Sequence, residues 1–94
     1  MKLEWLPMAL MNRRSQLAYI AERNPWAAID MGEIIETAVQ RLTEHPHVGR
    51  PGRHKGTREL VVVGTPFVIA YRIEPEKVVI LRLVHGAQRW PRRL

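Results

Sequence analysis

Three side chains in the C-terminal half have the chemistry to act on a phosphate. His85 closes the run VVILRLVH and is of the one side-chain type that titrates near neutrality. Arg58 and Arg82 carry guanidinium groups, which hold phosphate oxygens through paired hydrogen bonds. A histidine that moves a proton and arginines that steady negative charge would suit metal-independent cleavage of a phosphodiester. Strand alternation argues against a shared substrate. Arg82 falls in step with Val78 and Ile80, and His85 with Val79, Leu81 and Leu83. A regular strand sends those two side chains to opposite faces, and a bulge or an early strand end at Val84 would reunite them. Otherwise His85 serves as a capping or hydrogen-bonding residue at a strand end.

A second set of residues suits holding better than cutting. Arg50, Arg53 and Lys55 lie in the basic, Gly- and Pro-rich stretch PHVGRPGRHKG, residues 46–56, and Arg89 and Trp90 follow the last strand. Arginine and tryptophan are the types enriched where protein interfaces concentrate their energy. Two readings stay open for each: the loop cations form either a contact surface or a solvated loop, and Trp90 either anchors a partner or folds back on the core. Other chemistries find no support. His45, His47, His54 and His85 come with no acidic or cysteine cluster, so no metal site is expected. No glycine-rich loop leads from a strand into a helix, and no serine–histidine–acid set is suggested.

The charge of the chain is divided unequally. Residues 1–44 hold five Lys/Arg against six Asp/Glu, a net of −1, and residues 45–94 hold ten against three, a net of +7, which together make the +6 of the whole. A positive field confined to one half favours a polyanion or an acidic protein as partner. At 94 residues, 46% hydrophobic and 26% charged, the chain has the composition of one soluble globular domain, residues 1–94, with a modest core. Cysteine is absent, which excludes disulfides and thiol chemistry. No apolar run is long enough to cross a membrane, and MKLEWLP is too short an apolar stretch for a signal peptide, so a cytoplasmic location is expected.

The residues must be positioned by elements legible in the pattern. KLEWL, residues 2–6, alternates as a short strand before Pro7. From Met8 to Asn24 the positions Leu10, Leu17, Ala18, Ile20 and Ala21 recur at helical spacing. Asn24-Pro25 ends that helix and starts another, with Asn24 as cap and Pro25 at the first helical position. The second helix, residues 25–44, presents Ala28, Met31, Ile35, Ala38, Val39 and Leu42 as its buried stripe. Three strands rich in Val, Ile and Leu follow at 57–63, 67–73 and 77–85, separated by the short breaks Gly64-Thr65-Pro66 and Glu74-Pro75-Glu76. The expected fold class is α+β: an N-terminal strand, a two-helix hairpin, then a three-stranded antiparallel meander completing a four-stranded sheet. Tyr71 reads as sheet core with a polar tip, and the tail, 86–94, is expected to be mobile at its Arg92-Arg93-Leu94 end.

The order of these elements resembles the RelE/ParE superfamily of toxins from type II toxin–antitoxin modules. So do the segments YIAERNPWAA, GRPGRHKGTREL, TPFVIAYRI and VVILRLVHGAQRW, and the resemblance spans about residues 2–91. It implies a small toxin neutralised by a cognate antitoxin of the ParD or RelB kind, folding as it binds, and no cofactor. RelE-like members cut messenger RNA in the ribosome. ParE-like members bind DNA gyrase.

RelE-like nucleases place lysines on the second strand, an arginine on the third and another basic or aromatic group after the fourth. Here those positions hold Glu59 and Val61, Val68, and Gln88. An aliphatic side chain cannot hold a phosphorane, so the resemblance leans toward the ParE branch, a protein that binds DNA gyrase through Arg50, Arg53, Lys55, Arg58, Arg89 and Trp90. The alternative is a metal-independent, ribosome-dependent mRNA endoribonuclease using Arg58, Arg82 and His85.

Overall fold

The computed structural model describes residues 1–94. Strand β1, Lys2–Trp5, stops where Pro7 opens helix α1, Pro7–Arg23, and proline there gives up only an N–H that would have had no helical partner. Asn24 joins the two helices. Its N–H donates to Ile20 O at 2.8 Å, closing α1, and its side-chain oxygen accepts from the Ala27 N–H at 3.1 Å, opening α2, Pro25–Glu44. A single 3₁₀ turn, Pro46–Val48, leads into β2, Arg50–Pro51, and then into β3, Arg58–Val61, β4, Phe67–Ile73, and β5, Lys77–His85.

These strands form one sheet in the order β1-β5-β4-β3-β2. The α+β class and the order of elements are as the sequence implies, with β3, β4 and β5 antiparallel and β1 running parallel beside β5. Lys77 Nζ donates to Glu4 Oε1 at 2.6 Å across that parallel pair. The sheet has five strands, not four. The added one is Arg50–Pro51, paired with Glu59 and Arg58. A two-residue strand that ends in proline has no alternating pattern to read, and proline is tolerated there because the strand is at an edge. β3 is also shorter than 57–63: Gly64, at φ 88°, turns the chain after Val63, a left-handed conformation that glycine adopts without a Cβ clash.

Ala9, Ile35, Val39 and Leu42 of the helices meet Val62, Phe67, Ile69, Tyr71, Val78, Ile80 and Leu83 of the sheet in one core. Met31 and Ala38, expected in the buried stripe, sit at its margin, half-buried. A register shift opposite Ala70 and Tyr71 leaves Leu81 as the extra residue of β5, since Ala70 pairs with Arg82 and Tyr71 with Ile80. The bulge therefore keeps both Ile80 and Leu83 on the helix side.

The other face of the sheet is covered as well. The tail expected to be mobile lies back on the protein: His54 Nε2 is 3.0 Å from Pro91 O, and Arg82 Nη2 donates to Arg93 O at 3.2 Å. Val68, Ala70, Val79, Leu81 and Val84 are all buried.

Tyr71 ties the helix side to the loop. Its hydroxyl donates to Pro46 O at 2.6 Å and accepts from the Gly49 N–H at 3.0 Å. Burial raises its pKa above the ordinary 10.0, against the lowering pull of the Gly49 amide and the Arg58 charge. Tyr71→Phe keeps the ring but leaves the Gly49 amide and Pro46 carbonyl without their partner. Urea unfolding is expected to show a loss of about 1–3 kcal/mol, with the denaturant slope unchanged.

Candidate functional site

Glu59 is the central group of the basic region. It sits on β3 between Arg58 and Leu60 and points to the face away from the helices, because residues directly opposed across strands share a face and Glu59, Ala70 and Arg82 form one such row. Only 3% of the residue is exposed. Its Oε1 accepts from Arg50 Nε at 3.2 Å and Nη2 at 3.0 Å. Its Oε2 accepts from the Arg53 backbone N–H at 2.9 Å and from Arg53 Nε at 3.1 Å. Burial by itself would raise the Glu59 pKa. The Arg53 amide and the guanidinium groups of Arg50 and Arg53 outweigh that, and the carboxyl is held below its ordinary 4.5.

The clamp builds outward from this carboxylate. The Arg53 guanidinium carbon lies 3.9 Å from the centre of the Trp90 ring, a cation–π stack that docks the tail on the loop. Arg50, Arg53 and Trp90 thus come together, with Glu59 cancelling one of their two charges. The other expected binding residues do not join them. Arg58 faces the helix side opposite Tyr71, and its Nη1 donates to Gly49 O at 2.7 Å. Lys55 lies in an exposed turn, and Arg89 is exposed on the tail. Glu59 is the residue that sequence reasoning missed. Its position was read only as the loss of a lysine, whereas a lone acid among Arg50, Arg53, Lys55 and Arg58 is the signal that a buried ion cluster forms there.

The nuclease trio does not converge. Arg82 is on the face of Glu59, whereas His85 is on the helix side, with its ring edge-on to Phe67 at 5.9 Å between centroids. The bulge that could have reunited them lies at Leu81, before both residues, and leaves their relation unchanged. Arg58 shares the helix side with His85 but sits opposite Tyr71, four residues along β4 from Phe67, or about 13 Å away. His85 Nδ1 accepts from the Ala87 N–H at 3.1 Å, and the His85 N–H donates to Gln88 Oε1 at 3.1 Å, so both groups close the strand end. No cluster of three or more His, Asp or Glu side chains is placed to hold a metal ion.

A groove of 660 Å³ lies between α2 and the outer edge of β3. Ile34, Ala38, Val48 and Val63 give it an apolar lining, and Asp30 and Glu33 stand along it.

The family model for the ParE toxin of type II toxin–antitoxin systems, parDE, matches residues 3–90. The chain is 43% identical over 93 residues to the putative toxin Y4kP of Sinorhizobium fredii, covering 99% of this chain and 96% of that one. It is 37% identical to the toxin RelE2 of Caulobacter vibrioides, over 89% of this chain and 93% of the relative. Among solved structures, a chain of a chromosomal ParDE system from P. aeruginosa superposes with a TM-score of 0.81 at 24% identity, covering 90% of this chain and 95% of the other. That likeness is one of fold.

The clamp has a pH signature. The folded Glu59 carboxyl is more acidic than the unfolded one, so its stabilisation is complete above the unfolded value near 4.5 and is lost as pH falls through the lower folded value. Glu59→Gln is expected to cost about 1–3 kcal/mol at pH 7. In thermal melts it should also flatten the fall in stability below pH 4.5 that the lowered Glu59 pKa implies for the parent protein. Parallel melting curves for the two proteins through that range would contradict the clamp.

Proposed function

From the premise that this chain belongs to the ParE toxin family of type II toxin–antitoxin systems, we propose that it arrests growth in the cytoplasm by binding DNA gyrase. The observation that carries this reading is the separation of Arg58, Arg82 and His85. Metal-independent RNA cleavage needs an acid, a base and a phosphorane-holding cation within hydrogen-bond reach of one phosphate. These three lie on two faces and at two ends of the sheet. An ionised carboxylate also occupies the middle of the basic cluster, where it would repel a phosphate that the neighbouring arginines attract.

Binding makes lighter demands. A rigid sheet presents a guanidinium stacked on Trp90, with the exposed cations Lys55 and Arg89 nearby in sequence to loop and tail. Such a surface suits a large partner whose contact region is acidic. Toxins of this class pair with a cognate antitoxin. A ParD- or RelB-like segment that folds on binding would shelter the apolar surface that the domain leaves exposed. No helix is long and apolar enough to cross a membrane.

Purified gyrase separates this reading from ribosome-dependent mRNA cleavage. The toxin is expected to inhibit supercoiling and accumulate cleaved DNA, and Trp90→Ala should weaken inhibition by about thirtyfold or more if the ring is an interface anchor. His85→Ala should inhibit gyrase as the parent does. Messages truncated only when ribosomes are present, with the truncation lost in His85→Ala and Arg58→Ala, would replace the gyrase reading with the nuclease one.

A further inference from the structure

A second pocket, of 580 Å³, lies on the helix side of the sheet where β5 ends, and its size suits a small molecule. Ile20, Met31, Pro66 and Phe67 form its apolar part. Phe67 is buried and holds the His85 ring edge-on, so this wall is firm. The turn after β5 is held as well: the Gly86 N–H donates to Pro66 O at 2.7 Å and the Gln88 N–H to His85 O at 2.9 Å.

Three polar side chains line the pocket, and each has one polar atom committed to the backbone. Gln16 Nε2 donates to Leu83 O at 2.8 Å, which leaves the Gln16 Oε1 acceptor free. Gln88 Oε1 accepts from the His85 N–H at 3.1 Å, which leaves the Gln88 Nε2 amide group as a donor. His85 Nδ1 accepts from the Ala87 N–H at 3.1 Å, so the ring proton sits on Nε2 and makes that atom a donor. The one buried side-chain nitrogen or oxygen without a partner is Arg82 Nε, so these three free atoms are open to whatever enters the pocket.

The backbone thus sets a pattern of two donors and one acceptor. Its complement is an edge with two acceptors and one donor, which among nucleobases is the pairing edge of a pyrimidine. Uracil and thymine offer two carbonyls and an N–H there, and cytosine offers a carbonyl, a ring nitrogen and an amino group. Adenine has one acceptor beside its amino group, and guanine has one acceptor and two donors. A flat platform is present too. Tyr19 lines the pocket with its side chain 60% exposed, and the Arg23 guanidinium carbon stands 4.0 Å from the centre of its ring. An open tyrosine ring stacks on a base, and a guanidinium beside it can meet a phosphate.

We infer that this pocket binds the pyrimidine base of a nucleotide, with Gln16, His85 and Gln88 reading its edge, Tyr19 stacking on it and Arg23 meeting its phosphate. The assignment is one of binding, with no cleavage step. The pocket is on the face of the sheet opposite the Arg53–Trp90 stack, so the two surfaces do not overlap and the inference neither needs nor alters the gyrase reading.

The isotope-labelled full-length chain is titrated with UMP, uridine, AMP and oligothymidine, following the side-chain amides of Gln16 and Gln88 and the His85 ring by NMR. UMP should bind with a Kd on the order of 0.1 mM, and AMP about tenfold more weakly. Gln88→Glu keeps the acceptor for the His85 N–H but turns the free donor into an acceptor. It is expected to weaken binding of uridine, which has no phosphate to be repelled, by about tenfold. Tyr19→Ala should lose a similar factor for uridine and UMP alike, whereas Arg23→Gln should weaken UMP only. Tyr19 and Gln88 are both exposed, so the backbone spectra of these variants should match the parent's.

Oligothymidine binding more tightly than UMP would make the ligand a base exposed in a single strand, and the reverse order would make it a free nucleotide. Either order supports the pocket. Signals unmoved by oligothymidine and by UMP at about 10 mM would overturn the inference. So would AMP bound as tightly as UMP, or uridine bound by Gln88→Glu and Tyr19→Ala as the parent binds it.

Discussion

One buried ion cluster organises the half of this protein that carries its charge. Glu59 is nearly inaccessible, and an ionised carboxylate in that position is tolerable only because Arg50 and Arg53 donate to both of its oxygens. Holding Arg50 aligns β2 with β3, and holding the Arg53 backbone shapes the basic loop. The same Arg53 guanidinium then offers a face to Trp90, so the tail's place on the sheet follows from an acid on a strand. Take away the carboxylate and two arginines repel across an apolar sheet face. The apparent strength of the +7 half is thereby tempered at its centre and left whole at Lys55, Arg89 and the far tail.

Tyr71 performs the matching task on the helix side. Its hydroxyl bonds both ends of the turn between α2 and β2, and Arg58 takes the Gly49 carbonyl. A residue whose type suggested phosphate contact is thus engaged with the backbone.

Much of the architecture was legible because its signals are local. Asn24-Pro25 marks a helix break by capping chemistry alone, and the shift from helical spacing to strand runs marks the change of layer. The stripe Ile35, Val39 and Leu42 meets the sheet as its spacing requires, while Met31 and Ala38 fall at the rim because a helix laid across a twisted sheet contacts it over a limited width. β2 was not legible, since two residues of which one is proline carry no period. The Arg92–Leu94 end was expected to be mobile and Trp90 was left open between anchoring a partner and folding back, because a Trp–Arg stack between positions 53 and 90 has no signature in either segment alone. The candidate site was legible by residue type and only partly by membership: Arg50, Arg53 and Trp90 meet, and Arg58, Lys55 and Arg89 do not.

The sequence by itself determined the class of the fold, the order of its elements, the asymmetry of charge and, through alternation, the opposite facing of Arg82 and His85. These depend on periodicity and composition, which are properties of neighbours along the chain. Tertiary structure alone decided what each charge does. Whether an arginine binds a partner, clamps a carboxylate or caps a carbonyl depends on which strand lies beside it, and the bulge at Leu81 set those neighbours by moving Arg82 from the face of Ile80 to that of Glu59. Register is a long-range choice, made by burial of the whole sheet and not by any segment of it.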